Sequence, residues 1–173
     1  VWVTTYWSSK LERFNPTTGA SIGSAIDVAT NPGMMLAVNG HLFIPGSSGS
    51  NITDVNMATG AITRTITVSG ANLASAAYDG TNLWVTEYSS AAVARINPTT
   101  GAVLGYSSVG ANPTNVIYAG GSIWVGATGS DTVTQIDTSG NVTRTIHLGS
   151  GNISNLVYDG AVIWTPNFNG GYI

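Results

Sequence analysis

The sequence predicts an all-β protein of the β-propeller class, with four-stranded antiparallel blades of which about four are visible. One reason is an aromatic residue that recurs every 40 or 41 residues, followed by a small or β-branched residue. The other reason is a pair of turn phrases with the same period. A period near 40 with Trp and turn glycines is typical of propeller blades. The anchor aromatics are Trp2, Phe43, Trp84, Trp124 and Trp164.

One turn phrase precedes the anchor and the other follows it, and both phrases contain a glycine. Glycine reaches positive φ without a Cβ clash, which tight hairpin turns require. The phrase before the anchor reads Val38-Asn39-Gly40, Tyr78-Asp79-Gly80, Tyr118-Ala119-Gly120 and Tyr158-Asp159-Gly160. The phrase after it reads Asn15-Pro16-Thr17-Thr18-Gly19, Asn56-Met57-Ala58-Thr59-Gly60, Asn97-Pro98-Thr99-Thr100-Gly101 and Asp137-Thr138-Ser139-Gly140.

One complete unit illustrates the predicted blade. Apolar and β-branched runs predict strand A over 114–118, strand B over 123–127 and strand C over 132–136. Alternating residues predict strand D over 142–148, as the outer and more solvated strand. Four short strands without helical periodicity describe an antiparallel meander.

Strand C carries apolar residues three positions apart, a spacing that a strand buried on one face does not show. Burial of both faces between neighbouring blades explains it, and a β-bulge explains it equally well. The recurrent Trp has a structural interpretation as a plate between blades, which we favour over a ring of sugar-stacking platforms. The strand C pairs are Leu11/Phe14, Ile52/Val55, Val93/Ile96 and Val133/Ile136.

The period divides residues 1–173, a single β-propeller region, into units of which the first and last are incomplete. The chain starts at a strand B and finishes with strands A and B, so a closing blade would contain strand B twice. We therefore expect a segment of a longer chain. A closed ring of four to five blades with an irregular seam, or an open arc that self-associates through blade edges, are the alternatives. The units are approximately 1–30, 31–71, 72–111, 112–151 and 152–173.

Composition narrows the function classes. Charged residues make up 8% of the chain, against about 25% in typical domains, which suits an extracellular, cell-surface or virion-associated protein. The net charge is −3 and the five basic residues are scattered, so we expect no nucleic-acid partner. No apolar run predicts a transmembrane segment. There are no cysteines, which excludes disulfides and Cys nucleophiles.

The repeat phrases resemble the YVTN-type β-propeller repeats. The resemblance rests on residues 78–85 (YDGTNLWV) and 93–101 (VARINPTTG) and covers the whole chain. It places the chain near the NHL-like, SMP-30-like and virginiamycin B lyase-like proteins. It implies a repeat fold rather than an activity, since these residues build blades. Relatives of this kind are secreted, surface-layer, periplasmic or phage-associated binding modules, with a minority of metal-dependent lyases and hydrolases.

Two sets of loop residues are candidates for ligand binding. An Asn recurs where strand D leads into the next strand A, and it either lines a channel mouth or tolerates the left-handed region of a turn. The B–C loops vary in sequence, and their aromatic residues either form a binding surface or pack within the loops. The candidates are Asn31, Asn72, Asn112 and Asn152 in the first set, and Tyr6, Trp7 and Tyr88 in the second.

Glu87 completes the candidate set, because the run Trp84-Val85-Thr86-Glu87 resembles the Trp-Phe-Thr-Glu phrase of the lyase-like blades. Such an enzyme needs a divalent metal and a histidine base. We place the equivalents of Glu87 at Trp7, at Ser48 or a residue near it, and at Ala127 or Thr128. His41 is predicted in an A–B turn at the opposite face and His147 on outer strand D. The lyase constellation is therefore not assembled in these residues.

The leading hypothesis is a non-catalytic structural or interaction module that binds a protein or glycan through the D–A and B–C loops. It implies no catalytic residues, no metal site and no cofactor. The alternatives are a metal-dependent lyase or hydrolase of the virginiamycin B lyase or SMP-30 type, and a propeller lectin with one pocket between each pair of blades. A lectin predicts polar and aromatic loop residues recurring at the repeat period.

Overall fold

The computed structural model describes residues 1–149, 153 and 155–166, which form five consecutive antiparallel sheets. The three central sheets have four strands each, and the first and last have three and two. The strands are β1 (Trp2–Thr5), β2 (Lys10–Arg13) and β3 (Ile26–Asp27); β4 (Leu36–Val38), β5 (His41–Pro45), β6 (Asn51–Asn56) and β7 (Ile62–Thr67); β8 (Leu73–Tyr78), β9 (Leu83–Glu87), β10 (Ala92–Ile96) and β11 (Val103–Ser108); β12 (Pro113–Ala119), β13 (Ser122–Ala127), β14 (Thr132–Ile136) and β15 (Val142–His147); and β16 (Val157–Tyr158) and β17 (Ile163–Trp164).

The chain is all-β and has the β-propeller fold, as predicted. Each central sheet is a meander in which every strand pairs with the next along the chain. The fourth sheet matches the predicted strands closely: strand C is Thr132–Ile136, and the others differ by one or two residues at their ends. The helical content in the described residues is one 3-10 turn over Tyr88–Ser90.

The turn phrases are explained by side chains that satisfy backbone amides. In the turn between β10 and β11, Asn97 Oδ1 accepts hydrogen bonds from Thr99 N and Thr100 N, at 2.9 and 3.0 Å. Gly101 then takes a φ of +76°. Asn15, Asn56 and Asp137 accept equivalent bonds in their own turns. The phrase is therefore a turn-forming element rather than a ligand site.

Four hydrophobic cores lie between successive sheets rather than inside any one sheet. Strand C shows why. Ile52 packs in the core toward the third sheet, whereas Val55, three positions later, packs in the core toward the first. Both faces of β6 are thus buried, which settles the spacing on strand C in favour of two-sided burial.

A register shift is also present, but it belongs to strand D. Opposite Asp54 and Val55, strand β7 has Arg64 and Ile62, so Thr63 is the extra residue. The pairing of β6 with β5 runs through without a shift. The same irregularity recurs in the third and fourth sheets. Strand C is therefore regular, and the bulges lie on strand D and, in the third and fourth sheets, also on strand A.

The anchor aromatics fill the space between sheets, as the structural interpretation expects. Trp84 is 0% exposed and Phe43 1% exposed. Trp124 packs at the edge of the core between the fourth and last sheets. Trp164 in the last sheet is 49% exposed. Arg13 and Arg95 lie over Trp2 and Trp84 at 5.2 and 5.8 Å from the ring centroids, a cation–π arrangement.

Arginines also join neighbouring sheets at the C–D turns. Arg64 Nη1 donates to Thr99 O at 2.7 Å, and Arg95 Nη1 donates to Thr138 O at 3.0 Å. Thr99 and Thr138 both belong to the C–D turn of the following sheet. The second sheet is thereby tied to the third, and the third to the fourth, by a charged hydrogen bond at the edge.

Candidate functional site

The candidate site is the edge of the sheets where strands B end and strands C begin, together with the D–A connections beside it. We call this edge the loop face; it comprises residues 6–9, 28–33, 46–50, 68–72, 88–91, 109–112 and 128–131. Backbone hydrogen bonds link its loops to one another. Asn72 N donates to Gly49 O at 2.9 Å, and Tyr88 N donates to Asn72 O at 3.0 Å. The D–A connection therefore joins the B–C loops of two consecutive sheets.

The recurring asparagines sit at the centre of these links. Asn31, Asn72 and Asn112 have φ of +50°, +59° and +56°. Asn is among the few residues that reach this left-handed region at modest cost. The Asn31 amide donates to Tyr6 O at 3.2 Å, and the Asn72 amide donates to Ser89 Oγ at 2.8 Å. Asn152 lies outside the described residues, and a ligand-binding role for all four stays a prediction.

Trp7 is the most exposed large side chain on the loop face. It is 90% exposed, and its neighbour Tyr6 is 46% exposed. The two rings meet edge to face, with centroids 5.0 Å apart and an interplanar angle of 87°. Ser47 Oγ lies 3.4 Å from the Tyr6 hydroxyl, and Asn31 Nδ2 holds the Tyr6 carbonyl. The aromatic pair thus stands on a loop that the second sheet fixes in place.

Tyr88 occupies the position of Tyr6 in the third sheet, four residues after the anchor. It is 37% exposed and starts the 3-10 turn. The residues at the position of Trp7 are Ser48, Ser89 and Gly129. The indole is therefore unique to the first sheet, whereas the tyrosine recurs once.

Glu87 does not project from the loop face as an exposed ligand would. It closes strand β9 and is 1% exposed. One carboxylate oxygen has no hydrogen-bond partner among the described residues. Burial raises the pKa of Glu87, and a hydrogen bond from the Gly70 backbone partly opposes that rise.

The register corrects the expected equivalents of Glu87. Glu87 pairs with Leu73, Gly46 with Pro32, and Ala127 with Pro113. The equivalents are therefore Thr5, Gly46 and Ala127, each three residues after its anchor, and not Trp7 or Ser48. The expectation was wrong for Trp7, which lies five residues after its anchor, whereas Ala127 was among the expected equivalents.

The chemistry of a metal-dependent lyase is not gathered at this face. No three His, Asp or Glu side chains come together as a cation site would need within residues 1–149, 153 and 155–166. His41 begins β5 at the opposite edge, and His147 closes β15 on the outside of the fourth sheet. Glu87 is thus separated from both histidines.

A further cluster lies at the opposite edge and was not anticipated. Asp54, on strand C of the second sheet, contacts His41 and Arg64 and is fully buried. A signal was available in the sequence: the residue that pairs with the anchor is Arg13, Arg95 or Gln135 in the other sheets, and Asp in this one. The buried carboxylate at this position therefore distinguishes the second sheet from the other sheets of the repeat.

Comparison with solved structures supports the class of fold defined above, a β-propeller. The chain is similar to virginiamycin B lyase from Staphylococcus aureus, with a TM-score of 0.81 and 17% identity over 96% of this chain and 59% of that one. It is similar to BamB from Moraxella catarrhalis, with a TM-score of 0.75 and 17% identity over 92% and 50% of the two chains. The Neurospora crassa Pan2 WD40 domain gives a TM-score of 0.78 and 13% identity over 95% and 51%.

These neighbours show the fold alone, because their identities are low. The chain spans between about half and three fifths of their length. No curated protein sequence matches it. Residues 16–130 match the family described as "Repeat of unknown function (DUF6923)". The chain therefore belongs to that family of repeats.

In the part of the chain that the structure describes, no helix is long and apolar enough to span a membrane.

Proposed function

We propose that this chain is a non-catalytic interaction module that binds a protein or glycan through its loop face. The observation that carries the proposal is Trp7, which is 90% exposed on a loop held by hydrogen bonds from the next sheet. Exposed Trp and Tyr are enriched at binding surfaces, where they supply large contact area with little loss of conformational freedom. A fixed loop reduces the ordering cost of association further.

The distribution of aromatics favours one partner docked at one point. A lectin with a pocket between each pair of sheets would repeat its aromatic platform, but Ser48, Ser89 and Gly129 replace Trp7 in the other sheets. Among the neighbours by fold are BamB and a chain of the mitotic checkpoint complex. We also propose a secreted, cell-surface or virion-associated setting and a place in the YVTN/NHL/SMP-30-like superfamily, supported by the low charge content and the repeat phrases.

A lyase or hydrolase is the second candidate. It is favoured by the fold of virginiamycin B lyase and by Glu87, a buried carboxylate with a raised pKa near the loop face. Perturbed carboxylates concentrate at functional sites, although structural groups are perturbed as well. A cation that Glu87 helps to hold would raise the thermal midpoint on addition of Mg²⁺ or Ca²⁺.

The test separates these functions with matched variants. The chain is screened in parallel on a glycan array and on a displayed-peptide library, and each hit is titrated against wild type, Trp7→Ala and Leu104→Ala. Leu104 is an exposed apolar residue on outer strand β11. We expect Trp7→Ala to weaken binding by about tenfold or more and Leu104→Ala to leave it unchanged.

Hits that bind wild type and Trp7→Ala equally would contradict the proposal. A rise in thermal midpoint with Mg²⁺ or Ca²⁺ that Glu87→Gln abolishes would favour the enzyme instead.

A further inference from the structure

The cluster around Asp54 lies at the edge opposite the loop face, between the second and third sheets. Asp54 Oδ1 is 2.6 Å from His41 Nδ1, and Asp54 Oδ2 is 2.9 Å from Arg64 Nε. The carboxylate is completely buried, whereas His41 and Arg64 keep 28% and 26% of their side chains exposed. A buried carboxylate therefore holds two partly exposed nitrogen donors in fixed orientations.

The two donors line a cavity of about 340 Å³. The rest of its wall consists of the apolar residues Val38, Phe43 and Pro98 and the polar residues Asn39 and Thr99. His41 Nδ1 is hydrogen-bonded to Asp54 Oδ1, and Arg64 Nη1 donates to the Thr99 carbonyl. Arg64 Nε forms an ion pair with Asp54 Oδ2 at 2.9 Å, although that buried oxygen has no hydrogen-bond partner among the described residues. His41 Nε2 and Arg64 Nη2 have no partner among the described residues. The cavity thus combines two uncommitted donors with a wall that is apolar on one part and polar on another, and small-molecule sites commonly pair apolar lining with a few polar groups.

A purely structural role does not account for this arrangement. Arg95, in the third sheet, makes the same tie to the next C–D turn that Arg64 makes. It does so while stacking on Trp84, with no histidine and no buried carboxylate beside it. Three substitutions coincide in the second sheet alone: Phe43 at the anchor, Asp54 opposite it and His41 at the start of the strand. Tying the sheets together requires none of them.

Charge then indicates the class of ligand. Asp54 balances Arg64, so the cluster is neutral when His41 is neutral and carries one positive charge when His41 is protonated. The ionisable groups of the third sheet at this edge are Tyr78, whose hydroxyl lies 3.5 Å from Asn39 Nδ2, and Asp79, whose carboxylate accepts a hydrogen bond from Trp84 Nε1 and lines a different cavity with Tyr118 and Thr138. Residues 97–101 of the adjoining turn contain no ionisable side chain. An anion at the cavity would be matched by the imidazolium and by Arg64.

From these observations we infer that the cavity between the second and third sheets binds a small monocarboxylate with an apolar body, through His41 Nε2 and Arg64 Nη2. The carboxylate lies against the two donors and the body contacts Val38, Phe43 and Pro98. A polyanion such as phosphate would leave most of its charge facing apolar side chains.

The chain contains its own internal reference for the test, since His147 is its other histidine. The ring C2–H resonances of both histidines are followed by NMR during titration with benzoate at constant ionic strength. His41→Gln assigns the signals. We expect a saturable shift of the His41 signal with increasing benzoate at fixed pH, while the His147 signal stays constant. Benzyl alcohol, the neutral counterpart, should shift neither.

Arg95→Gln serves as the matched control for Arg64→Gln, because both remove an inter-sheet tie. Arg64→Gln should weaken benzoate binding by about tenfold, the cost of one charged hydrogen bond, whereas Arg95→Gln should leave it within about twofold. Arg64→Lys is measured alongside as a variant that keeps the charge, and it should weaken binding by at least about threefold.

Three results would overturn the inference. The first is a His41 signal that does not move with benzoate, or that moves together with the His147 signal. The second is an equal loss of benzoate affinity in Arg64→Gln and Arg95→Gln. The third is tighter binding of inorganic phosphate than of benzoate. Circular dichroism of each variant verifies that the chain is folded during the titration.

Discussion

Trp84 Nε1 donates a hydrogen bond of 2.8 Å to Asp79 Oδ2. The same residue pair recurs in the last sheet, where Trp164 Nε1 lies 2.7 Å from Asp159 Oδ2. Each aspartate also accepts two backbone bonds within its turn. The turn phrase and the anchor are therefore one unit, in which the aspartate shapes the hairpin and orients the indole. What differs is burial, since Trp84 is 0% exposed and Trp164 is 49% exposed.

Replacing each of these tryptophans by alanine separates burial from the shared hydrogen bond. Trp84→Ala should lower the free energy of unfolding by about 3–5 kcal/mol, the usual cost of emptying a buried Trp site. Trp164→Ala should lower it by roughly 1–2 kcal/mol, because half of that side chain is already solvated. Urea denaturation measures both. Equal losses would show that the hydrogen bond, and not packing between sheets, is what the anchor contributes.

Asp159 provides a prediction for acid stability. Backbone bonds from Val162, then the Trp164 indole and the Ala161 backbone, lower its pKa to about 2. The stabilisation from the ionised group is complete above the unfolded pKa of about 3.9 and is lost as the pH falls through about 2. Carboxyl-carbon NMR should place the Asp159 midpoint near that value. The stability difference between wild type and Asp159→Asn should shrink over the same range, and an ordinary Asp midpoint would refute the assignment.

Glu87 should behave in the opposite way. Burial raises its pKa, so its neutral form is favoured in the folded protein. The corresponding stabilisation is complete below the unfolded pKa and is lost as the pH rises through the folded value. Glu87→Gln should therefore unfold at a higher temperature than wild type at pH 7 and at a similar one at pH 4. A lower midpoint for Glu87→Gln at pH 7 would mean that the ionised carboxylate is needed.

Asn72 distinguishes the two interpretations of the recurring asparagines. If its positive φ is what the fold requires, Asn72→Gly should be close to wild type, whereas Asn72→Ala should lose about 1–2 kcal/mol of unfolding free energy. Asn82→Ala is the control, since Asn82 is not among the residues with positive φ. Equal losses in the glycine and alanine variants would assign the role to the amide instead.

Much of the fold was predictable because short-range chemistry determines it. The turns at Asn97–Gly101 and Tyr78–Gly80 are closed by side chains within five residues, so their sequence is sufficient to locate the hairpins. The spacing of Ile52 and Val55 had two explanations, and only the pairing of β6 with both neighbours distinguishes them. A bulge on one strand is invisible in the apolar pattern of the next.

The site was less predictable because its chemistry depends on contacts across strands. Trp7 was identified as a candidate, but its exposure depends on which elements cover the loop. Glu87 was expected to face a ligand, and its burial follows from the close approach of Gly70, where an added Cβ would overlap the carboxylate. His41 and Arg64 meet only through Asp54, and no local motif connects them.

The sheets bury their central anchor aromatics against one another and leave the Trp7 indole exposed on the loop face. Fluorine NMR of the chain labelled with 5-fluorotryptophan tests this directly, with Trp7→Phe and Trp84→Phe assigning the two signals. On addition of a soluble paramagnetic agent, the Trp7 signal should broaden strongly and the Trp84 signal should stay sharp. Comparable broadening of the two signals would contradict both the buried anchor and the exposed platform.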